Sequence, residues 1–143
     1  MHLGFDVRKV SKAIIYRSCE YLLQLRDKSP DIDYPDQWSL FGGEIEPDES
    51  PWVSLRRELE EEISWKPENG NFLYHWTNPD VSCRVYMFAV PFRDKPQKLV
   101  LNEGQDMKWF TINQLAQLNS VETYALKHII NFDQDNKSHD YMK

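Results

Sequence analysis

The chain has 143 residues, of which 41% are hydrophobic and 13% aromatic, enough apolar material for one globular domain with one core and too much for a disordered chain. Its 17 lysines and arginines are outnumbered by 23 aspartates and glutamates, and the formal net charge of -6 argues against broad electrostatic binding of nucleic acid or of an anionic membrane. No apolar run approaches the length of a membrane span and the first residues lack the features of a signal peptide, so we expect a cytoplasmic protein.

The N-terminal third is predicted to be mostly β-structure. Residues 12–17 and 20–26 are short, apolar and partly β-branched, which is typical of a pair of strands. Residues 27–36 concentrate proline, aspartate and serine, which favours a surface loop. A short apolar stretch at residues 38–41 then leads into a pair of glycines.

A helix is predicted from Pro51 to about Ile63. Ser50 supplies an oxygen for an N-cap, and proline is favoured at the first helical position because no amide donor is needed there. On a helical wheel one apolar stripe lies within an arc of about 80° and comprises Trp52, Leu55, Leu59 and Ile63. This stripe is expected to pack against the core.

The C-terminal half is predicted to alternate strands, loops and helices. Strands are expected at residues 72–76, 84–92 and 107–110, with a long polar loop at residues 95–106. Thr111, with Gln114 three residues later, forms a capping-box pattern that opens a helix, and another helix covers about residues 121–132. The prediction is one domain, residues 1–133, followed by a flexible tail at residues 134–143.

The predicted helix carries three glutamates on one face. Glu58, Glu61 and Glu62 stand at the i, i+3 and i+4 spacings at which helical side chains are neighbours. These carboxylates repel one another, and Arg57 can neutralise only one or two of them. Hard oxygen ligands suit Mg²⁺ or Mn²⁺, which also accept substrate phosphates. The pattern favours a metal site that acts on phosphates, although the segment taken alone is also typical of a solvated helix face.

The segment from Gly43 to Trp65 resembles the Nudix box, which is glycine, five residues, glutamate, seven residues, then Arg-Glu-bulky-any-Glu-Glu-any-Gly-bulky. The matching residues are Gly43, Glu49, Arg57, Glu58, Leu59, Glu61, Glu62 and Trp65. Ser64 stands where the box has its late glycine. A glycine there is typical of a left-handed helix C-cap, which serine adopts at a cost of about 1 kcal/mol. The departure therefore concerns local geometry and removes no carboxylate.

The resemblance implies a fold, a reaction and a set of metal ligands. The fold is an α/β/α sandwich with a mixed β-sheet. The reaction is Mg²⁺-dependent hydrolysis of the diphosphate linkage in a nucleoside diphosphate linked to a group X, such as a nucleoside triphosphate, an oxidised nucleotide or a nucleotide sugar, with Mn²⁺ able to replace Mg²⁺. Arg57 would orient the glutamates and Glu49 would support the loop and helix. The implied metal ligands are the Gly43 carbonyl and the carboxylates of Glu58, Glu61 and Glu62.

A second segment, Glu103-Gly104-Gln105 followed by Trp109, is similar to the late loop of MutT-like pyrophosphohydrolases. The similarity implies that Glu103 approaches the metal from the opposite loop, as a further ligand or as the general base. Glu58 and Glu103 both stay candidates for the group that takes the proton from water. The competing interpretation is an ordinary polar turn before a strand.

Aromatic side chains are the candidates for binding the rest of the substrate, because nucleobases stack on aromatic faces with about 1–3 kcal/mol per base. The candidates, each of which could instead pack in the core, are Tyr34, Trp38, Tyr74 and Trp76. Asn119 could donate hydrogen bonds to a base edge or serve as a helix cap or turn residue. Candidate phosphate contacts are Arg8, Arg17, Arg26 and Arg84.

Two other functional classes compete with a hydrolase. A non-catalytic nucleotide-binding or regulatory module would keep the fold without turnover. A structural or protein-binding domain would carry the glutamates only for solvation. The expected partner is a small nucleotide-like molecule rather than a nucleic acid or a membrane, and no pattern in the sequence sets the X group or the oligomeric state.

Overall fold

The computed structural model describes residues 7–141, with the side chains of all of these except residue 97 and residues 137–141. The strands are β1 (Arg8–Arg17), β2 (Glu20–Leu25), β3 (Trp38–Ser39), β4 (Phe41–Glu44), β5 (Asn71–Asn78), β6 (Cys83–Pro91) and β7 (Asp106–Phe110). The helices are α1 (Pro51–Ile63), α2 (Ile112–Gln117) and α3 (Thr123–Tyr141), with a short 3-10 helix at Pro96–Lys98.

The strands form one mixed sheet, in which β1 is central. The main strand order is β3-β2-β1-β6-β5, with β4 paired to β1 and β7 paired to β2. β1 runs parallel to β6 and antiparallel to both β2 and β4. The antiparallel pairing of β1 with β2 confirms the predicted N-terminal pair of strands, and the mixed sheet with its helices confirms the expected α/β class.

Two apolar cores cover the two faces of the sheet. Val10 and Ile14 of β1 belong to the core that also contains Ile129 of α3. Ala13 and Ile15 belong to the other core, which contains the apolar stripe of α1. Since alternate residues of a strand point to opposite faces, α1 and α3 lie on opposite sides of the sheet. The site described below lies where α1 contacts the glycines of β4.

Helix α1 begins and ends where the sequence predicts. The Ser50 hydroxyl accepts a hydrogen bond of 3.2 Å from an amide of the first turn. The apolar stripe is buried, with Leu55, Leu59 and Ile63 at 0% exposure. Ser64 ends the helix in the left-handed conformation, with φ 55° and ψ 33°. Packing along the stripe therefore holds the neighbouring, acidic face in a defined orientation.

The other predicted elements are present with shifted ends. β5, β6 and β7 overlap the three predicted C-terminal strands. The predicted capping box opens α2, because the Thr111 side chain accepts from the Gln114 amide and the Gln114 side chain accepts from the Thr111 amide. Local hydrogen-bonding chemistry was thus sufficient to place this helix start.

Helix α3 is longer than the sequence analysis predicts. It continues to Tyr141, beyond the expected end near Phe132. No proline or glycine occurs at residues 123–141, so nothing in the chain interrupts the helix where its apolar face stops. The flexible tail expected at residues 134–143 stays a prediction, and residues 142–143 lie outside the described residues. Within residues 7–141 no helix, α3 included, is long and apolar enough to cross a membrane.

Candidate functional site

The acidic face of α1 lies beside the glycine pair of β4. Glu62 is buried, with 4% exposure, and its Oε1 accepts a hydrogen bond of 3.0 Å from the Gly42 amide. The Gln24 side chain donates to the other oxygen of Glu62 at 3.4 Å. Glu58 is partly buried and Glu61 is exposed. The three glutamates therefore run from the protein interior at Glu62 to the surface at Glu61.

Both glycines of β4 are closely approached, Gly43 by the end of the Glu58 side chain and Gly42 by the backbone of β1. A Cβ atom at position 43 would stand 2.4 Å from the carboxyl carbon of Glu58, well inside the separation at which carbon atoms attract. Gly42 has a φ of 141°, and a Cβ atom there would meet the Ser11 carbonyl oxygen at 2.0 Å. The backbone at Gly43 is thereby in direct contact with the Glu58 carboxylate.

Arg57 ties the acidic face to the loop before the helix. Its Nε and Nη2 donate to the two carboxylate oxygens of Glu49 at 2.6 and 2.8 Å, a bidentate geometry that fixes both side chains. Its Nη1 donates to Glu58 at 3.1 Å and to Glu61 at 3.2 Å. These hydrogen bonds from Arg57 lower the pKa of Glu49 to about 2. Arg57 is thus placed where it can orient two of the three glutamates.

The loop before β7 brings Glu103 to the acidic face. The Asn102 amide donates to the Glu62 carbonyl at 2.8 Å, and the Asn102 side chain donates to the Glu61 carbonyl at 3.0 Å. On the other side of Glu103, the Gln105 amide donates to the last carbonyl of β2 at 2.8 Å. Anchors on both sides therefore hold the exposed Glu103 beside the C-terminal end of α1.

Burial and repulsion act on the same carboxylates. Burial raises the pKa of Glu58 and of Glu62, and the negative charge of Glu103 raises both further. Arg57 opposes the shift at Glu58, and Lys12 opposes it at Glu62. Carboxylates destabilised in this way gain from a divalent cation, and oxygen ligands are those that Mg²⁺ prefers. The donor set fits Mg²⁺ by its chemistry.

The carboxylates of the acidic face do not converge on one position that a metal ion could occupy. In the part of the chain that the structure describes, no three histidine, cysteine, aspartate or glutamate side chains are close enough to hold a metal ion as they stand. Glu58 and Glu61 are hydrogen-bonded to the Arg57 guanidinium instead. The face therefore holds donors within reach of one another rather than a finished coordination sphere.

A cavity of about 170 Å³ adjoins the glycine pair, and Gly42 and Gly43 are among its lining residues. Part of its wall is aromatic. The Trp76 ring lies 4.5 Å from the His128 ring and 5.0 Å from the Tyr124 ring, measured between centroids. The Trp76 Nε1 is buried and has no hydrogen-bond partner among the described residues. A cavity with a partly aromatic wall thus lies next to the acidic face.

The residues predicted to bind the substrate occupy different places. Tyr34 lines the cavity, and its hydroxyl donates to Asp80 at 3.2 Å. Trp38 is buried and packs edge-on against Phe110, with 4.9 Å between ring centroids. Asn119 is exposed after α2, and neither Trp38 nor Asn119 lines the cavity. A role in substrate binding stays a prediction for all three.

The four arginines predicted as phosphate contacts also lie in different places. Arg8 and Arg26 line the cavity, and Arg8 is already paired with Asp33 at 3.0 Å. Arg17 lies over the ring of Trp109, 4.1 Å from its centroid. Arg84 is on β6 and is not part of the cavity wall.

Of the other two aromatic candidates for substrate binding, Trp76 lines the cavity, whereas Tyr74 does not.

Lys12 is a cavity residue that the sequence analysis did not single out. The pattern that identifies it is the alternation of side chains between the two faces of a strand. Lys12 shares a face with Val10 and Ile14, both of which belong to the core. The predicted strand began at residue 12, so the face to which Lys12 points was left unassigned. A lysine at an inward-facing position of a central strand is the informative feature.

Comparisons with known proteins agree with the geometry. The NUDIX domain family model matches residues 8–129. Diphosphoinositol polyphosphate phosphohydrolase 2 of Rattus norvegicus is 32% identical over 87 residues, covering 59% of this chain and 49% of that protein. The human protein of the same name is 32% identical over 87 residues, covering 59% of this chain and 48% of its own length. The chain spans about half the length of these curated relatives.

Solved structures are similar over most of the chain. A MutT protein from Methanosarcina mazei has a TM-score of 0.77 at 21% identity and covers 95% of this chain and 99% of its own. A MutT structure from a study of the Aliivibrio salmonicida and Vibrio cholerae proteins has a TM-score of 0.68 at 26% identity, with 87% and 97% covered. Because the NUDIX domain model spans the sheet, the glycine pair and the whole acidic face, the chain belongs to the Nudix family.

Proposed function

We propose that the protein is a Mg²⁺-dependent hydrolase that cleaves the diphosphate linkage of a nucleoside diphosphate linked to a group X, by attack of water at phosphorus. The observation that supports this most is the position of the acidic face. Its carboxylates adjoin a cavity with an aromatic wall through the shared glycine pair. A base in the cavity and a diphosphate over the glutamates would then belong to one molecule.

The proposed metal ligands are the Gly43 carbonyl and the carboxylates of Glu58, Glu61, Glu62 and Glu103. When bound there, Mg²⁺ would offset phosphate charge and make an attacking water more acidic. Mn²⁺ has the same preference for oxygen ligands and would substitute for it.

The chain's own residues position and activate the reactants. Arg57 holds Glu49 and, with Nη1, keeps Glu58 and Glu61 on one side of the helix. A carboxylate oxygen of Glu58 or of Glu103 accepts the proton of the attacking water. Burial raises the pKa of Glu58, which makes its carboxylate the stronger proton acceptor of the kind that general bases require.

The cavity favours an aromatic ring as the group remote from the metal. An engineered apolar cavity of about 150 Å³ holds benzene, so a cavity of about 170 Å³ accepts a ring of that class. The walls supplied by Trp76 and Tyr124 suit stacking. A diphosphoinositol polyphosphate, the substrate class in the names of the curated relatives, would need many cations. The cavity instead lines up three cations with three carboxylates, which are Arg8, Lys12 and Arg26 with Asp33, Glu44 and Glu122.

A panel of substrates tests the proposal. Nucleoside triphosphates, oxidised nucleotides, nucleotide sugars, dinucleotides and a diphosphoinositol polyphosphate are each incubated with Mg²⁺, and release of phosphate, pyrophosphate or the two phosphate-ester products is measured. We expect turnover of at least one nucleotide, lost on chelation of the metal. Turnover of the inositol compound alone would overturn the nucleotide assignment, and no turnover of any compound would overturn the reaction.

The alternative is a non-catalytic nucleotide-binding or regulatory module. The hydrogen bonds of Arg57 to Glu58 and Glu61 favour it, since they occupy carboxylates that a metal would need. The two functions differ in a binding assay run beside the panel. Nucleotide binding without Mg²⁺-dependent release of product would favour the module, and release of product favours the hydrolase.

A further inference from the structure

Lys12 places a charged side chain on an apolar strand face. It lies on β1 between Val10 and Ile14, which are both in the core, and it pairs with Met87 on β6 and with Gly42 on β4. Side chains on this face of a central strand are normally apolar. A partly buried lysine here costs folding free energy unless something compensates for its charge.

The Lys12 ammonium lacks a direct partner among the side chains that the structure describes. Among the groups that the structure describes, none forms a hydrogen bond or an ion pair with it. Burial lowers its pKa, whereas the more distant charges of Glu62 and Glu58 raise it and that of Arg26 lowers it. An ammonium has three donors to satisfy. Those of Lys12 are available to a ligand.

The position of Lys12 is between the two parts of the proposed site. It lines the cavity together with Gly42 and Gly43, and the same glycines contact Glu62 and Glu58. A molecule with one end in the cavity and a diphosphate over the acidic face must pass this point. The phosphate next to the cavity is the group that would reach the ammonium.

We propose that Lys12 is a substrate-binding residue that holds, through its ammonium, the phosphate of the substrate nearest to the cavity. This inference rests on the proposed function, which supplies the diphosphate. Lys12 then compensates the charge of that phosphate while the glutamates serve the metal. The charged residue on the apolar face is retained for binding, at a cost to stability.

A counterion role for Glu62 is the competing explanation. It predicts that Lys12 matters only until a metal neutralises Glu62. Removal of Lys12 would then leave phosphate affinity unchanged in the presence of metal. Phosphate binding predicts the opposite result, so affinity measured with metal present distinguishes the two.

The test uses imidodiphosphate, a non-hydrolysable analogue of pyrophosphate, titrated into the protein with saturating Mg²⁺ in a calorimeter. The variants are Lys12→Met, which removes the charge, and Lys12→Arg, which keeps it. Lys9→Met is the matched control, because Lys9 is an exposed lysine of the same strand. Metal binding without phosphate and the midpoint of thermal unfolding are measured for each variant.

The expected result is a loss of imidodiphosphate affinity of about 10-fold to 100-fold in Lys12→Met, the usual range for a charge-assisted hydrogen bond. Lys12→Arg should retain most of the affinity and Lys9→Met all of it. Lys12→Met should bind Mn²⁺ at least as well as the wild type and unfold at a higher temperature. Affinity within twofold of the wild type in Lys12→Met, or no binding of imidodiphosphate by the wild type, would overturn the proposal.

Failure of the Lys12 proposal and failure of the proposed function give different results. An unchanged Lys12→Met affinity with Mg²⁺-dependent turnover in the substrate panel leaves the hydrolase standing and removes Lys12 from its binding site. A large loss of affinity in Lys12→Met without turnover of any nucleotide supports the phosphate contact and overturns the reaction.

Discussion

The acidic face of α1 and the aromatic cavity beside it are built in different ways. The face is local, because three glutamates within five residues are brought together by the helix itself. The cavity is assembled from distant parts of the chain, with Lys12 from β1, Trp76 from β5 and His128 from α3 among its lining residues. Helical periodicity can be predicted from a sequence, whereas the packing of three distant elements against one another cannot.

The two regions also differ in how their side chains are satisfied. On the acidic face, Glu62 accepts two hydrogen bonds from identified donors, and Glu49 in the loop before the helix accepts three. In the cavity, the Trp76 Nε1 has no partner among the described residues, and neither has the Lys12 ammonium. Pre-organised carboxylates suit chemistry that is common to a family, while unpaired donors suit recognition of one substrate.

The largest effect should come from the buried glutamate of the acidic face. Glu62→Gln should reduce kcat by about two to four orders of magnitude if Glu62 serves the metal. Glu60→Gln is the matched control, since Glu60 is on the same helix but exposed, and its kcat should stay within a factor of two or so. Steady-state kinetics with the substrate found in the panel provide the measurement. Comparable loss in both variants would mean that the face acts only through overall charge.

Filling the cavity should produce a smaller effect of another kind. Ala125 is buried on α3 and lines the cavity, so Ala125→Phe should exclude a stacked base and raise KM about 10-fold to 100-fold. Mn²⁺ affinity should not change, because the acidic face is untouched. Ala116→Phe places the same ring on an exposed position of α2 and should leave KM as it was. An unchanged KM in a folded Ala125→Phe protein would place the base elsewhere.

Sequence reasoning succeeded where structure is determined locally. Helix α1 and its buried stripe follow from periodicity and capping, and the left-handed conformation at Ser64 follows from the glycine that the Nudix box has at this position. It left open whether Trp38 stacks on a substrate or packs in the core, and the structure packs Trp38 on Phe110, because burial of one aromatic depends on elements far along the chain. Lys12 was missed for a related reason, since its face is defined only once β1 begins at Arg8.

The smallest effect concerns the end of α1. Ser64 has a φ of 55°, which costs a residue with a Cβ about 1 kcal/mol relative to glycine. Ser64 Oγ also accepts a hydrogen bond from Asn102 at 2.9 Å. Replacing serine would remove that bond as well, so the two variants are compared with each other and not with the wild type. Ser64→Gly should therefore be more stable than Ser64→Ala by about 1 kcal/mol in urea unfolding, with similar kcat in both. Equal stability would show that the helix end relaxes away from the left-handed conformation.

Metal uptake tests the central claim most directly, because the acidic face is proposed to bind a divalent ion. Calorimetric titration with Mn²⁺ or Mg²⁺, with and without nucleotide, should show binding by the wild type and by Glu60→Gln. In Glu62→Gln the affinity should fall about 10-fold to 100-fold. If the wild type takes up neither ion under either condition, the glutamates are a solvated helix face and the proposed hydrolase is wrong.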